Sequence, residues 1–294
     1  NRFELMWVLL LVSVAGFLAQ LVDGAMGMAF GITSTTLLIF LAYNPAAASA
    51  IVHLVEIVTS SISGASHIKF GNVDWHALVK VAVPGAIGAF AGAMLLSNVD
   101  LSAARPWTAS VLFILGALVL YRFTRPIILG KKRRARARWL APLGLVGGFI
   151  DSTGGGGWGP VVTTSLTASN ALAPRKAIGT TNTAEFVIAV AASIGFIIGI
   201  GAEEIPWDAV LALGIGGALA APIAAWLVSK APQRLLGILV GNLIIALNVR
   251  QLNISFEVPD GFAIAAYVIV AALFIGTLIY GIKLLKTDRL PKTD

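Results

Sequence analysis

The stretch Asp151-Ser152-Thr153-Gly154-Gly155-Gly156-Gly157-Trp158-Gly159-Pro160 lies between two apolar runs, residues 140–150 and 161–172. Glycine costs a helix about 1 kcal/mol relative to alanine and proline about 3 kcal/mol, so this stretch predicts a helix break. Because the flanks are apolar enough for a bilayer, the broken backbone must be buried in protein or line a wet cavity. Free N–H groups at the start of a half-helix would then favour an anion. The alternative is that the glycines only allow close helix packing.

Composition places the whole chain in the membrane class. Of its 294 residues, 57% are hydrophobic and 12% are charged, whereas a soluble domain has about 25% charged residues. The absence of cysteine excludes disulfides, thiolate metal sites and cysteine nucleophiles. Three histidines leave little scope for a metal, and we expect neither a metal nor a cofactor. We also expect no cleavable signal peptide, since the first apolar run continues into the pattern of the chain.

The chain contains internal repetition. Pro45 recurs as Pro174, the tetrapeptide 53–56 as 182–185, and residues 23–27 fall on residues 155–159. Eleven hydrophobic segments are predicted, and the second, sixth and seventh, which flank the breaks, are too short for a full crossing of about 20 residues. Short segments in corresponding places of two halves indicate a transporter site. The predicted segments cover about 5–22, 28–42, 46–66, 77–97, 107–124, 139–151, 159–172, 177–200, 207–229, 233–249 and 261–285.

The fold class we predict is an all-α polytopic membrane protein made of two inverted repeats. Each repeat has about five hydrophobic segments with Gly-rich broken or re-entrant helices, and a C-terminal helix follows. The expected boundaries are a first repeat over 1–124, a basic cytoplasmic loop over 125–138, a second repeat over 139–250, and a final helix with a cytoplasmic tail over 251–294. The positive-inside rule places the basic loop in the cytoplasm. Since five is odd, the halves are inverted, the N-terminus lies outside and the C-terminus lies in the cytoplasm.

Two glutamates lie within long apolar segments at matching repeat positions, Glu56 and Glu185. A carboxyl group at membrane depth costs about 3 kcal/mol on insertion scales and is a functional hypothesis by default. We interpret both as proton-coupling residues, with structural helix-tying as the equal alternative. His53 precedes Glu56 by one turn, so the two share a helix face. We expect them to form a hydrogen-bonded polar pair in which His53 assists proton movement. Asn182 stands in the same relation to Glu185.

Polar residues at the two breaks complete the predicted site. Asp23 and Asp151 are expected to cap half-helices by accepting backbone N–H bonds, or alternatively to bind a coupling ion. Hydroxyls that follow the breaks can donate to the oxygens of an anion, although Ser and Thr also serve as ordinary contacts between membrane helices. The predicted substrate-binding residues are Gly24, Gly27, Thr33, Ser34, Ser152, Thr153, Gly154, Gly155, Gly156, Gly157, Thr163, Thr164, Asn182 and Thr183.

These elements together resemble a known family. A Gly-rich break near the start of each half is followed by Pro45-Ala46-Ala47-Ala48 or Pro174-Arg175-Lys176-Ala177. A small-polar run, residues 179–183, comes next in the second half. This pattern is similar to that of the TauE/SafE sulfite-exporter family. The resemblance implies transport of sulfur-containing anions such as sulfite, sulfoacetate or related sulfonates across the cytoplasmic membrane. The first half departs from it, because residues 23–27 contain fewer glycines.

We therefore predict a secondary transporter of a small sulfur-containing anion, an exporter by the family name, with its substrate site at the paired breaks and with proton coupling. Its expected partners are the small anion and the lipid bilayer, with a homodimer left open and no nucleic acid. Two alternatives remain at this point. One is a passive anion channel or uniporter for small organic acids. The other is an intramembrane enzyme, for which no nucleophile motif such as Gly-x-Ser-x-Gly is found.

Overall fold

The computed structural model describes residues 2–26, 28–125, 137–228 and 232–288, and these are helical apart from short connections. Within these described residues, eight helices are long and apolar enough to cross a membrane. The all-α polytopic membrane fold is thus confirmed. The elements are α1 (Arg2–Met26), α2 (Phe30–Phe40), α3 (Pro45–Lys69), α4 (Trp75–Asn98), α5 (Leu101–Thr124), α6 (Ala137–Gly154), a π-helical turn (Gly159–Thr163), α7 (Thr164–Ala168), α8 (Pro174–Ile200), α9 (Trp207–Val228), α10 (Gln233–Ser255) and α11 (Asp260–Asp288).

Local chemistry explains where the long helices begin. Asn44 precedes α3 and its side-chain oxygen accepts from the amide of Ala47 at 2.8 Å. Asp74 does the same for α4, accepting from the amide of Ala77 at 2.9 Å. Both are preferred N-cap residues. Pro45 and Pro174 occupy the first turns of α3 and α8. Proline is favoured there, because a backbone N–H at that position would have no partner within the helix. The two Pro-x-x-Ala elements therefore mark equivalent helix starts.

The most extensive helix contacts each join a helix of the first repeat to a helix of the second. Helix α1 of the first repeat packs along α9 of the second, and α6 of the second repeat packs along α4 of the first. A Cβ on Gly16 of α1 would lie 2.2 Å from the carbonyl oxygen of Leu213, and one on Gly144 of α6 would lie 2.2 Å from that of Val81. Small residues allow such close backbone contact between membrane helices. Helix α3 lies against α8, and α5 against α10, across the middle of the molecule.

Two helices extend past the expected repeat boundaries, which stay predictions. Helix α10 continues to Ser255, past the boundary at 250, and α6 begins at Ala137, before the boundary at 139. Polar residues end each apolar run but do not end the helix, because helical backbone continues until a cap or a breaker intervenes. Most of the basic loop, residues 126–136, lies outside the described residues. The loop and its sidedness therefore stay predictions.

Candidate functional site

The backbones of the two breaks meet in the interior of the molecule. After α6 the chain turns through Gly155 and Gly156, whose φ angles are +69° and +134°. A Cβ on Gly156 would lie 2.2 Å from the carbonyl carbon of Gly31, in the first turn of α2. Only glycine combines that positive φ with that approach. The break before α2 has its own left-handed residue, Ala29, with φ +114°.

Each break is held by an aspartate. Oδ1 of Asp151 accepts from the amides of Gly157 at 2.6 Å and Trp158 at 2.8 Å. Oδ1 of Asp23 accepts from the amide of Phe30 at 3.3 Å. Trp158 and Phe30 each lie seven residues after their aspartate, so this geometry matches Asp23 with Asp151. The earlier register, which matched residues 23–27 with 155–159, is wrong at this point because it aligned glycines rather than caps.

These caps change how an anion can be held. Three of the break amides, where we expected an anion to bind, already donate to the two carboxylates. A carboxylate at a half-helix N-terminus is favoured for the same reason that a bound anion would be. An anion at the breaks therefore cannot use these three amides, and side-chain hydroxyls or a cation offer further donors.

His53 joins α3 to the second break. Its Nδ1 lies 2.8 Å from the carbonyl oxygen of Ser49, which can only accept, so Nδ1 carries a proton and donates. Its Nε2 lies 3.1 Å from Oδ2 of Asp151, and both side chains are buried. A hydrogen bond at this distance requires one further proton, on either the imidazole or the carboxyl group. The hydroxyl of Ser49 donates to the carbonyl oxygen of Ser152 at 2.6 Å.

The predicted pairing of His53 with Glu56 is wrong. The imidazole faces Asp151 of α6 through its Nε2, while its Nδ1 donates to the carbonyl oxygen of Ser49 on its own helix, α3, so both ring nitrogens have a partner. Asn182 likewise contacts α3 rather than Glu185, with its Nδ2 3.4 Å from Ser63 Oγ and 3.4 Å from His67 Nε2. Sharing one helix face did not decide these contacts, since the neighbouring helix offered better partners.

The glutamates remain close to the breaks. Glu56 is buried, and its Oε1 lies 2.8 Å from the position that a Cβ on Gly31 would take. Glu185 on α8 is half-buried. The carboxyl group of Glu56 interacts electrostatically with those of Glu185, Asp151 and Asp23. Within the described part of the chain neither glutamate side chain has a hydrogen-bond partner. Four acids thus surround the point where the two breaks meet.

The predicted hydroxyls fall into two groups. Thr33 and Ser34, in the first turns of α2, are buried and their hydroxyls have no partner among the described residues. The other five have partners. Thr163 bonds Thr181 at 2.7 Å, Thr164 accepts from Arg122 at 3.2 Å, and Ser152, Thr153 and Thr183 donate to carbonyls of their own helices. A buried hydroxyl without a partner costs free energy, so Thr33 and Ser34 are the two available for a ligand.

Several predicted glycines pack against neighbouring helices. A Cβ on Gly24 would meet Ala224 of α9 at 2.5 Å, and one on Gly154 would meet Val111 of α5 at 2.6 Å. Gly157 lies against Ile150 and Leu115. Gly27 lies outside the described residues. The packing interpretation therefore describes Gly24 and Gly154, whereas Gly155 and Gly156 form the break itself.

Sequence reasoning missed three residues of this region. Gly31 provides the surface on which Gly156 packs, Ser49 bonds the end of α6, and Arg122 extends from α5 to both breaks. Arg122 lies three residues before the predicted basic loop at 125–138 and was assigned no role from the sequence. Its position before the end of an apolar run was the available signal, because a cation inside a membrane segment is costly.

A cleft of about 540 Å³ lies between α3 and α9. Its walls are mostly apolar, with polar groups from Gln20 of α1 and from Thr59 and Ser63 of α3. Thr59 follows Glu56 by one turn of the same helix. The cleft is thus the described cavity nearest in sequence to the central acids.

Comparison with known proteins gives the family. Residues 12–250 match the family model described as sulfite exporter TauE/SafE. The chain is 43% identical over 288 residues to "Probable membrane transporter protein YtnM" of Bacillus subtilis (strain 168), covering 97% of this chain and 96% of that protein. It is 29% identical over 199 residues to "Probable membrane transporter protein YdhB" of the same organism, covering 65% of this chain and 78% of that protein. No solved structure matches the chain. The chain belongs to the TauE/SafE sulfite-exporter family and is a multi-pass membrane transporter, not an enzyme.

Proposed function

We propose that this protein is a secondary transporter that exports a small sulfur-containing anion, such as sulfite, sulfoacetate or another organosulfonate. The observation that carries the proposal is the pair of buried, unpartnered hydroxyls, Thr33 and Ser34, next to the contact between the two breaks. Hydroxyl donors fit the oxygens of a sulfite or sulfonate group. Residues that line such a contact are accessible from either side when one repeat moves against the other.

The charges at the proposed site support proton coupling. Four acids within electrostatic reach of one another repel an anion when they are ionised. Protonation of Glu56 or Glu185 reduces that repulsion by one charge, so a proton and the anion favour each other's binding. The shared proton of His53 and Asp151 gives a second position for it. Such a site moves the proton and the anion in the same direction, and a high cytoplasmic anion concentration would drive export.

Sidedness and assembly form part of the proposal. The N-terminus lies outside and the C-terminus in the cytoplasm, by the charge of the loop at 125–138. A homodimer is the assembly to test, by the mass of the purified protein in detergent.

The test is the flux of labelled sulfite, sulfoacetate and a carboxylate control in sealed proteoliposomes, with and without a pH gradient. The variants are Glu56→Gln and Glu185→Gln, with Glu203→Gln in the exposed α8–α9 connection as the matched control. We expect sulfur-anion flux that follows the gradient in the parent and the control, and loses that dependence in a site variant. Flux indifferent to pH in every protein would indicate a uniporter or channel. Carboxylate flux alone would overturn the sulfur-anion assignment.

A further inference from the structure

Arg122 is a cation placed between the two breaks. Arg122 lies near the end of α5 and is half-buried. Its Nη1 donates to the sulfur of Met28 at 3.0 Å and to the hydroxyl of Thr164 at 3.2 Å. Met28 belongs to the first break, and Thr164 is the first residue of α7, after the second. A Cβ on Gly159 would lie 3.1 Å from Cβ of Met28, so these break segments touch beneath the guanidinium.

The contacts of Arg122 leave most of its donors unused. A guanidinium has five N–H groups arranged to hold a carboxylate, phosphate or similar group at two oxygens. In the described chain only Nη1 makes hydrogen bonds, and one of its two acceptors is a thioether, which is weak. The sequence has no acidic residue from 101 to 150, so no carboxylate of α5, the following loop or α6 before Asp151 can neutralise it.

We infer that Arg122 is a substrate-binding residue that holds the sulfonate or sulfite oxygens at the mouth of the site, before the anion reaches Thr33 and Ser34. This deepens the proposed function and rests on it. An anion entering a region with four acids needs a nearby positive charge, and Arg122 is the cation, among the described residues, with hydrogen bonds to the first break and to the helix that follows the second. The planar fork also selects anions with two oxygens on one face over a halide.

The matched control lies less than one helical turn away. Arg125 is exposed at the same end of α5, and its guanidinium stacks on the ring of Tyr121 at 4.5 Å. Removing Arg125 changes the charge of this end by the same amount as removing Arg122, but takes no hydrogen bond from the breaks. A general electrostatic or topological role would therefore affect both variants alike.

The experiment measures sulfoacetate KM and maximal flux in proteoliposomes for the parent, Arg122→Gln, Arg122→Lys and Arg125→Gln. We expect Arg122→Gln to raise KM on the order of tenfold or more, as for the loss of a charge-assisted hydrogen bond, with Arg122→Lys intermediate and Arg125→Gln within about twofold of the parent. Equal KM values for the Arg122→Gln and Arg125→Gln variants would overturn the inference while the proposed function stands. No flux in the parent would instead overturn the proposed function.

A second measurement needs no variant, in case Arg122→Gln does not fold. Phenylglyoxal modifies arginine side chains, and mass spectrometry of the parent protein reports each site. We expect sulfoacetate to slow modification of Arg122 and leave that of Arg125 unchanged, at an ionic strength matched with chloride. Equal protection of both residues, or of neither, would overturn the inference.

Discussion

The contact between α4 and α8 is tightly packed, whereas its counterpart between α9 and α3 contains the cleft. In the first, a Cβ on Gly85 would lie 2.7 Å from Ile188 and 2.8 Å from the ring of Trp158, and one on Gly195 would lie 2.8 Å from Cβ of Ala93. In the second, a Cβ on Gly214 meets only Val55, at 3.8 Å.

The two breaks differ in the same sense. Asp151 holds its break with two short amide bonds and also faces His53, while Asp23 accepts one bond of 3.3 Å. Trp158 and Phe30 occupy matching positions after their aspartates. Trp158 fills the space beside Gly85, whereas a Cβ on Gly217 would lie 3.6 Å from the ring of the smaller Phe30. One architectural plan thus has one tight and one loose version. We infer that the loose side is the open side of the transporter, and that alternating access would exchange the two conditions.

The largest expected effect concerns the two caps. Asp151→Ala would leave two buried amides without an acceptor, at about 1–3 kcal/mol each, and remove the partner of His53. Asp23→Ala removes one long bond and should cost about 1 kcal/mol. Thermal unfolding of the purified variants measures the difference. Equal losses of stability would show that the two breaks are held alike and would remove this part of the comparison.

Labelling of introduced cysteines tests whether the cleft is wet. The chain has no cysteine, so any label reports the new residue. Thr59→Cys lines the cleft and Ala93→Cys lies in the closed contact, and maleimide reacts only with a thiolate, which needs water.

We expect Thr59→Cys to react faster than Ala93→Cys by on the order of tenfold without substrate, with the ratio falling during turnover. Equal rates in both conditions, or no reaction at residue 59, would mean that lipid fills the cleft. The tight and loose contacts would then have no bearing on access.

Much of the fold was predictable from the sequence, because hydrophobic length and the Gly-Pro cluster dominate it. The short α2, the break after Gly154 and the start of α8 at Pro174 all follow from local chemistry. The partners of His53 and Asn182 were not predictable, since they depend on which neighbouring helix faces them. The role of Arg122 was hidden because its partners, Met28 and Thr164, are distant in sequence. The difference between Trp158 and Phe30 was not predictable either, because only the hydrogen bonds to Asp151 and Asp23 show that these two residues occupy matching positions.

The central claim is that the hydroxyls at the paired breaks bind the anion, and equilibrium binding of labelled sulfoacetate tests it most directly. The proteins are the parent, the double variant Thr33→Val with Ser34→Ala, and Ser97→Ala, whose hydroxyl bonds its own helix on the closed side. Removing two unpartnered buried hydroxyls should raise the melting temperature, while the lost donors should weaken binding by about 3- to 10-fold. Ser97→Ala should bind as the parent does. A double variant that is more stable and binds the anion with parental affinity would contradict the account.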